Sequence, residues 1–446
     1  MPSAPPKPWF RQLTGAHVRA LFAAWIGYLL DGFDFVLLTY VLSDVSAEFD
    51  VSLATASTLL VATFGSRWLG GFVFGSLGDR YGRKSAMVWS IVLYSGGTFL
   101  CGLAWSFAAL FAFRLVVGIG MAGEYGASST YAVESWPAHL KNKASAFLIT
   151  GFAVGGLVAA QVYSPVVDRF GWRALFFLGI LPVLAAVYVR KSAPESPEWE
   201  AAAREQGHVQ GVSALSLFTR RRLPVTLTLI LVVFLAFCTN WPVSGLMPSY
   251  LDSLGYDRGT TGDIMFYAGL GTVLGTAASG FVGDRFGTAR TYASVLAVSL
   301  VFLFPVFAVG AGRPLALVLL LFCFMGTNFG ISGLLPKYLY DYFDARTRAS
   351  GLGTVYNIGA VGGGVAPWWG AVLGDSVGLG TAMAVLTAVG VIALVLLVSF
   401  DVPGRLLRRQ ARRHPHVAEL TAAPAAAGDP AAVRGGRRQE VASVHD

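Results

Sequence analysis

Long apolar runs alternate with short polar segments along this chain. In order, the runs cover residues 18–43, 54–76, 85–104, 106–133, 144–165, 171–189, 223–250, 261–282, 290–310, 314–336, 349–372 and 378–400. A helix needs roughly twenty apolar residues to cross a bilayer, and each run is about that long. The pattern therefore predicts an all-α membrane protein with twelve spans. Composition agrees: 446 residues, 55% hydrophobic and only 13% charged, do not describe a soluble protein with a large core.

The polar segments carry a repeat. Gly75-Ser-Leu-Gly-Asp79-Arg80-Tyr-Gly82-Arg83-Lys84 returns, degraded, as Gly280-Phe-Val-Gly-Asp284-Arg285-Phe-Gly287-Thr-Ala-Arg290, 205 positions later. Asn142-Lys143-Ala144-Ser145 and Thr347-Arg348-Ala349-Ser350 keep the same offset. Two pairs at one offset make the chain a duplication of a six-helix unit. The expected organisation is an N-terminal segment 1–17, a first half 18–190, a Pro-bearing charged linker 191–222, a second half 223–400 and a basic, disordered tail 401–446. Gly71/Gly75, Gly151/Gly155, Gly271/Gly275 and Gly359/Gly363 fall on equivalent helices, and their small-x-x-x-small spacing is expected at the contact between halves.

Charge sets the orientation. With the N-terminus inside, the cytoplasmic segments up to Arg413 hold 24 Lys and Arg and the outer loops only Arg169, Arg173, Arg258 and Arg313, so both termini are expected in the cytoplasm. The net charge of +8 then reflects topology and an anionic inner leaflet, and a nucleic-acid partner is not expected. No cleavable signal is visible, so the first helix is expected to stay as its own insertion signal and the expected location is the cell membrane, multi-pass. Cys101, Cys238 and Cys323 all lie in apolar runs, which gives no support to a disulfide framework or a metal site. No cofactor motif and no catalytic constellation occurs, and the chain is taken as a monomer and not an enzyme.

Ionisable groups inside apolar runs are the candidates for chemistry, because burying them in a bilayer is unfavourable. They are Asp31 and Asp34 on the first helix, Arg67 on the second, and Arg114 and Glu124 on the fourth. Three carboxylates against two guanidiniums leave one negative charge unmatched, and such a group is suited to take up and release a proton. Asp34 or Asp31 is the first choice and Glu124 the next; static ion pairing among all five is the alternative. Arg67 lies twelve residues before Asp79, about 18 Å along the helix at 1.5 Å per residue, hence near the midplane. A guanidinium there suits an anionic substrate, which it can grip with two parallel hydrogen bonds. Arg114 is a second candidate for that grip and also a partner for a helix-1 aspartate. Gln161, Asn240, Asn328 and Asn357 sit at comparable depth as hydrogen-bonding groups, and Tyr125 adjoins Glu124. In the repeated segment, Asp79, Arg80 and the Arg83-Lys84 pair fit a charged latch between helix ends, and Gly75 and Gly82 shape it. The second copy, with Asp284 and Arg285 but a decayed basic pair, is expected to latch less tightly.

These residues resemble a known family. Gly-x-x-x-Asp-Arg-x-Gly-Arg-Lys after the second helix, Arg114-x-x-x-Gly118-x-Gly120 and Pro194-Glu-Ser-Pro197 look like the major facilitator superfamily. Within it, LDGFDFVLL (30–38), SRWLGG (66–71), MAGEYG (121–126), ESWPAHLKNKAS (134–145), GWRALFFLGILP (171–182), LLPKYL (334–339) and the glycine-rich run 351–363 closely resemble the sialate:proton symporters. The resemblance spans about residues 9–402 and implies the major facilitator fold, alternating access, and proton coupling at Asp31 and Asp34. Enteric members resemble this chain at both ends but carry two further helices between the halves, which the 191–222 linker does not supply.

The expected function is proton-coupled import of an acidic sugar, foremost N-acetylneuraminate. A small monocarboxylate or aromatic acid is the alternative substrate, since the same wider group includes lactate and pyruvate permeases. A drug antiporter is disfavoured because the fifth helix lacks the Gly-Pro-x-x-Gly-Gly run such exporters show. A non-transporting receptor is disfavoured because no folded cytoplasmic domain is evident. The expected partners are a small anionic substrate, protons and membrane lipids.

Overall fold

A computed structural model of the chain describes residues 9–137, 140–192, 195, 200, 217–343 and 348–413; most of the linker and the tail from 414 onward fall outside these. The described residues are helical throughout, without strands. The first set of helices is α1 (Gly15–Tyr40), α2 (Leu42–Glu48), α3 (Leu53–Tyr81), α4 (Arg83–Gly102), α5 (Phe107–Glu134), α6 (Lys141–Phe170), α7 (Arg173–Leu178) and α8 (Pro182–Ser192). The second is α9 (Leu223–Ser253), α10 (Arg258–Phe286), α11 (Thr288–Ala308), α12 (Pro314–Asn328), α13 (Leu335–Tyr340), α14 (Arg348–Gly359), α15 (Gly362–Val377), α16 (Leu379–Ser399) and α17 (Val402–Arg413).

Nine helices among the described residues are long and apolar enough to cross a membrane. The expected runs 54–76, 171–189 and 349–372 are helical but fall outside that set. Arg67 and several hydroxyls dilute α3, a short break at Gly179–Leu181 separates α7 from α8, and another at Ala360–Val361 separates α14 from α15. Large apolar side chains such as Trp68, Phe72, Leu274 and Leu319 face outward, as a lipid environment requires and water does not favour.

The 205-residue repeat is structural. α3 and α10 are both 29 residues long, and their ends are offset by 205. Each is followed by a glycine corner, Gly82 at φ 96°, ψ 154° and Gly287 at φ 88°, ψ 139°. That region of backbone space is closed to side chains with a Cβ, so the motif glycine is what turns the chain between consecutive membrane helices.

Within each set the equivalent helices pack together: α1 on α6, α3 on α5, α9 on α14 and α15, and α10 on α12. Between sets, α6 lies along α10 and α3 along α15 and α14. The glycine expectation holds in part and is corrected in part. Gly71 lies against Asn357 of α14 and Gly363 against Phe64 of α3, across the two sets. Gly151 and Gly155 lie against Trp25 and Leu29 of α1, Gly271 and Gly275 against Phe322 and Gly326, and Gly359 against Val233, so these bring helices of the same set together. Close approach between sets rests also on Gly262 and Gly269 of α10, against Ala160 and Leu157 of α6, and on Gly364, against Leu60 and Val61 of α3. Spacing alone marks a smooth helix face; which neighbour fills it is set by the three-dimensional arrangement.

The tail expectation is also corrected over 402–413. Asp401 accepts a hydrogen bond from the Gly404 amide at 3.2 Å and pairs with Arg408 at 2.8 Å, which starts α17. Leu406 and Leu407 pack on the core while the arginines face out, an arrangement suited to a membrane surface.

Candidate functional site

The two sets of helices enclose a central cavity whose wall includes Tyr28, Asp31, Phe35, Arg67, Asn240 and Asn328. It offers about 60 Å³ to water centres, room for only a handful of waters. Asp31 is buried, and neither carboxylate oxygen has a hydrogen-bond partner among the described residues. Arg67 is the cation that acts on it most strongly. Arg67 in turn donates through Nε to Asn357 Oδ1 at 3.5 Å and lies 6.0 Å from the Phe64 ring. The contact joins α3 to α14, so it spans the two sets. Gly71 is packed against the same Asn357 side chain.

The second set adds amides. Asn240 donates to the Ala236 carbonyl at 3.3 Å, and Asn328 donates to Ser299 Oγ at 3.2 Å. Each keeps its Oδ1 without a partner among the described residues. Asn328 sits where α12 ends and a short 3-10 turn (Gly330–Leu334) leads into α13. Interrupted helices at membrane depth are tolerated where they line a cavity, and this break places Asn328, Phe329 and Ser332 on the wall.

Asp34, Arg114 and Glu124 are buried behind the cavity, inside the first set. Arg114 Nη1 lies 3.8 Å from Asp34 Oδ2, both side chains fully buried, and its guanidinium covers the Phe176 ring at 4.6 Å. Glu124 accepts from Ser128 at 2.5 Å and from Ser90 at 3.4 Å, and a Cβ on Gly27 would collide with it. The charge count therefore resolves into an Asp34–Arg114 pair, an Asp31–Arg67 couple on the cavity, and a Glu124 held by hydroxyls. Gln161 is placed elsewhere: it is exposed and donates to Asp263 at 3.5 Å, so it is not on the cavity wall. The side chain of Tyr125 lies outside the described residues.

At the motif end of the bundle, the side chains of Asp79, Arg80 and Arg83 lie outside the described residues, as does that of Gly75's neighbour Ser76. The corner itself is described. The Lys84 amide donates to Glu195 Oε1 at 3.2 Å, and the same carboxylate fills the space where Gly82 lacks a Cβ. Glu195 thus caps the first turn of α4, favourably placed at a helix N-terminus, and links two motifs read separately in the sequence. At the second corner no described residue comes within 4 Å of where a Cβ on Gly287 would stand. There Asp284 pairs with Lys143 at 3.5 Å, from α10 to α6, and Arg285 lies over Phe286 at 5.5 Å.

The opposite end carries a cluster that the sequence reading passed over as loop charge. Arg258, first residue of α10, pairs with Asp44 of α2 at 2.5 Å and with Asp168 of α6 at 3.3 Å. Beside it Glu48 binds Arg173 and the indole N–H of Trp172. Burial pushes the Asp44 carboxyl up from its ordinary value, and the Arg258 charge only partly offsets this. The available signal was the scarcity of arginine at this end, which makes a retained one informative.

A helical membrane bundle with charged and amide side chains converging on an enclosed central cavity, and with ion pairs joining its two helix sets at both ends, defines a membrane carrier. The Major Facilitator Superfamily profile matches residues 24–336 and 229–434. The chain belongs to the major facilitator superfamily and is a multi-pass membrane transport protein. It is 42% identical over 400 residues to the sialic acid transporter NanX of Escherichia coli (strain K12), covering 90% of this chain and 98% of that one. It is 30% identical to the cis,cis-muconate transport protein of Acinetobacter baylyi (strain ATCC 33305 / BD413 / ADP1), over 83% of this chain and 92% of the relative. A crystal structure of a D-xylose-proton symporter superposes with a TM-score of 0.70 at 18% identity, over 86% of this chain and 97% of that one, which speaks to the fold.

Proposed function

We propose that this protein imports an acidic sugar of the sialic acid class together with protons, by alternating exposure of the central cavity. The observation that carries the reading is the Asp31–Arg67 couple on the cavity wall: one group that can exchange a proton and one permanent cation that can hold a carboxylate, facing the same space. The identity to a sialic acid transporter over most of both chains supports the substrate class.

In this reading the substrate carboxylate engages Arg67 and competes with Asn357 for it, loosening a contact between the two helix sets. Protonation of Asp31 removes the charge that would otherwise repel the incoming anion. Asn240 and Asn328 offer unpaired carbonyl oxygens to hydroxyl or amide hydrogens of the sugar. The Asp34–Arg114 pair and Glu124 form a second proton-exchanging layer behind the cavity. The end that carries Arg258 faces outward and the motif end faces the cytoplasm, in line with the distribution of Lys and Arg. An acidic sugar exceeds the 60 Å³ now open to water, so binding requires the helix sets to part.

A second reading, a planar unsaturated or aromatic acid, is favoured by the rings of Phe35, Phe64, Phe237 and Tyr356 on the cavity wall and by the muconate-transporting relative. Uptake of labelled N-acetylneuraminate into proteoliposomes, with and without an inward proton gradient, separates the two. Gradient-driven accumulation that excess muconate and lactate leave unchanged supports the sugar. Absence of sialate uptake with transport of either acid moves the substrate to that class.

A further inference from the structure

A second cavity adjoins the central one, and three aromatic side chains belong to the walls of both. Phe152 of α6, Trp241 of α9 and Phe329, after α12, line each space. The three rings form a closed set of contacts. Phe152 and Phe329 stack at 6.4 Å with 17° between planes, Trp241 meets Phe152 edge-on at 6.4 Å, and Trp241 meets Phe329 at 6.2 Å. Trp241 is buried, and Phe35 and Phe64 pack on it at 4.8 and 5.1 Å, which holds the indole across the passage.

The second cavity, about 70 Å³ for water centres, lies toward the Arg258 end. Its wall takes Thr39 and Tyr40 from the last turn of α1 and Met265 and Thr272 from the first half of α10. Among the described residues it carries hydroxyls and thioethers but no charged side chain. An anion entering from that end meets no cation inside the chamber. The first one beyond the rings is Arg67.

We propose that Phe152, Trp241 and Phe329 are a gate across the transport path, one ring from the first helix set and two from the second, with the uncharged chamber as a transit site on its Arg258 side. Because the gate draws on both sets, any motion that parts α6 from α9 separates the rings, whereas closing the Arg258 end restores them. Edge-to-face and stacked pairs contribute modestly beyond their buried area, so such a gate can open without breaking an ion pair. The inference rests on the transport reading above for the direction of the path, but its test does not require that the substrate be known.

The test uses the full chain with Cys101, Cys238 and Cys323 replaced by Ser, and one cysteine introduced at Ser244, in the chamber, or at Ser332, in the central cavity. A membrane-impermeant methanethiosulfonate is applied to inverted vesicles, so that it enters from the motif end. With the rings intact, Ser244→Cys is expected to react at least tenfold more slowly than Ser332→Cys. Adding Trp241→Ala should bring the two rates together, and Trp241→Phe should keep them apart. Should Trp241→Ala fail to fold, Phe329→Ala serves in its place. Equal rates with all three rings present, or no gain on removing a ring in a folded variant, would overturn the gate. A failed sialate uptake assay with the labelling pattern retained would instead remove the substrate reading and leave the gate standing.

Discussion

Every charged side chain that is buried among the described residues lies before residue 125, whereas the helices after residue 222 bury amides and hydroxyls only. The backbones do not explain this difference. α3 and α10 match in length and in their glycine corners, and both sets pair equivalent helices. What differs is the chemistry placed on a common plan. The first set carries groups that change or hold charge, and the second carries Asn240 and Asn328, whose neutral carbonyls suit a hydroxylated substrate. In the proposed reading, one scaffold used twice separates proton and anion handling from the recognition of uncharged substrate groups.

The division is tested most severely at Arg114. Truncation to Ala leaves Asp34 without its cation in a fully buried site, and removal of one partner of such a pair costs about 3–5 kcal/mol. The unfolding midpoint of the purified protein in detergent should fall accordingly. Asp34→Leu combined with Arg114→Met should recover most of the loss, and an unchanged midpoint for Arg114→Ala would deny the pair any structural role. Next comes Arg67. Arg67→Gln should weaken substrate binding about 100-fold, close to 2.7 kcal/mol, with Arg67→Lys between the two because its ammonium lacks the fork. Equilibrium binding to the purified protein reads this directly. If the wild type and Arg67→Gln bind equally, the anion is held elsewhere.

Asn240→Ala and Asn328→Ala sharpen the other side of the comparison. Each should weaken binding of a hydroxylated substrate by about 1 kcal/mol, roughly fivefold, and should leave the stoichiometry of proton uptake unchanged. A loss of coupling in either variant would move proton chemistry into the second set.

The ends of the bundle give smaller effects, and one has an unexpected sign. The carboxyl of Asp44 is raised by burial in the closed arrangement, against Arg258 and beside Asp168, Asp252 and Tyr163. A raised value means that the closed end binds the proton more tightly than an open end in which Asp44 meets water. Acid should therefore favour closure, with the preference fading as pH rises through the raised value. Spin labels on either side of this end should report a more closed population at pH 4 than at pH 8, and Asp44→Asn should flatten the dependence. A population that opens with acid would reverse the assignment. Lys143→Ala at the motif end should change little, within about 1 kcal/mol, because its partner Asp284 is substantially exposed; a large change in transport rate would make this contact a working latch.

Much of the fold was legible because bilayer solvation acts on single segments: a run of apolar residues must be helical to satisfy its backbone, whatever its neighbours are. Nine spans were readable in that way, whereas the turn made by the motif glycine emerged only from the structure. Where segments depend on partners, the reading weakened. α3 carries polar groups that are satisfied by other helices, and α17 forms around Asp401 and two leucines without a run of apolar residues. The glycine pairs were visible, but their neighbours were not. For the site, the five buried charges stood out against an apolar background, and Asn240, Asn328 and Asn357 emerged as polar residues at depth. The pairing among the charges, the exposed position of Gln161 and the aromatic gate did not.

The sequence by itself determined that this chain is helical, lies in a membrane, carries a repeat at a 205-residue offset and keeps its buried charges before residue 125, because each of these follows from local solvation or from the order of residues. Tertiary structure alone decided that Asp31 faces Arg67 across a cavity while Asp34 turns to Arg114, that Arg258 ties α10 to α2 and α6, and that three rings from distant helices meet between two cavities. Helix rotation and packing set those meetings, and a rotation of one residue, about 100° on a helix of 3.6 residues per turn, is enough to exchange a cavity wall for a buried interior.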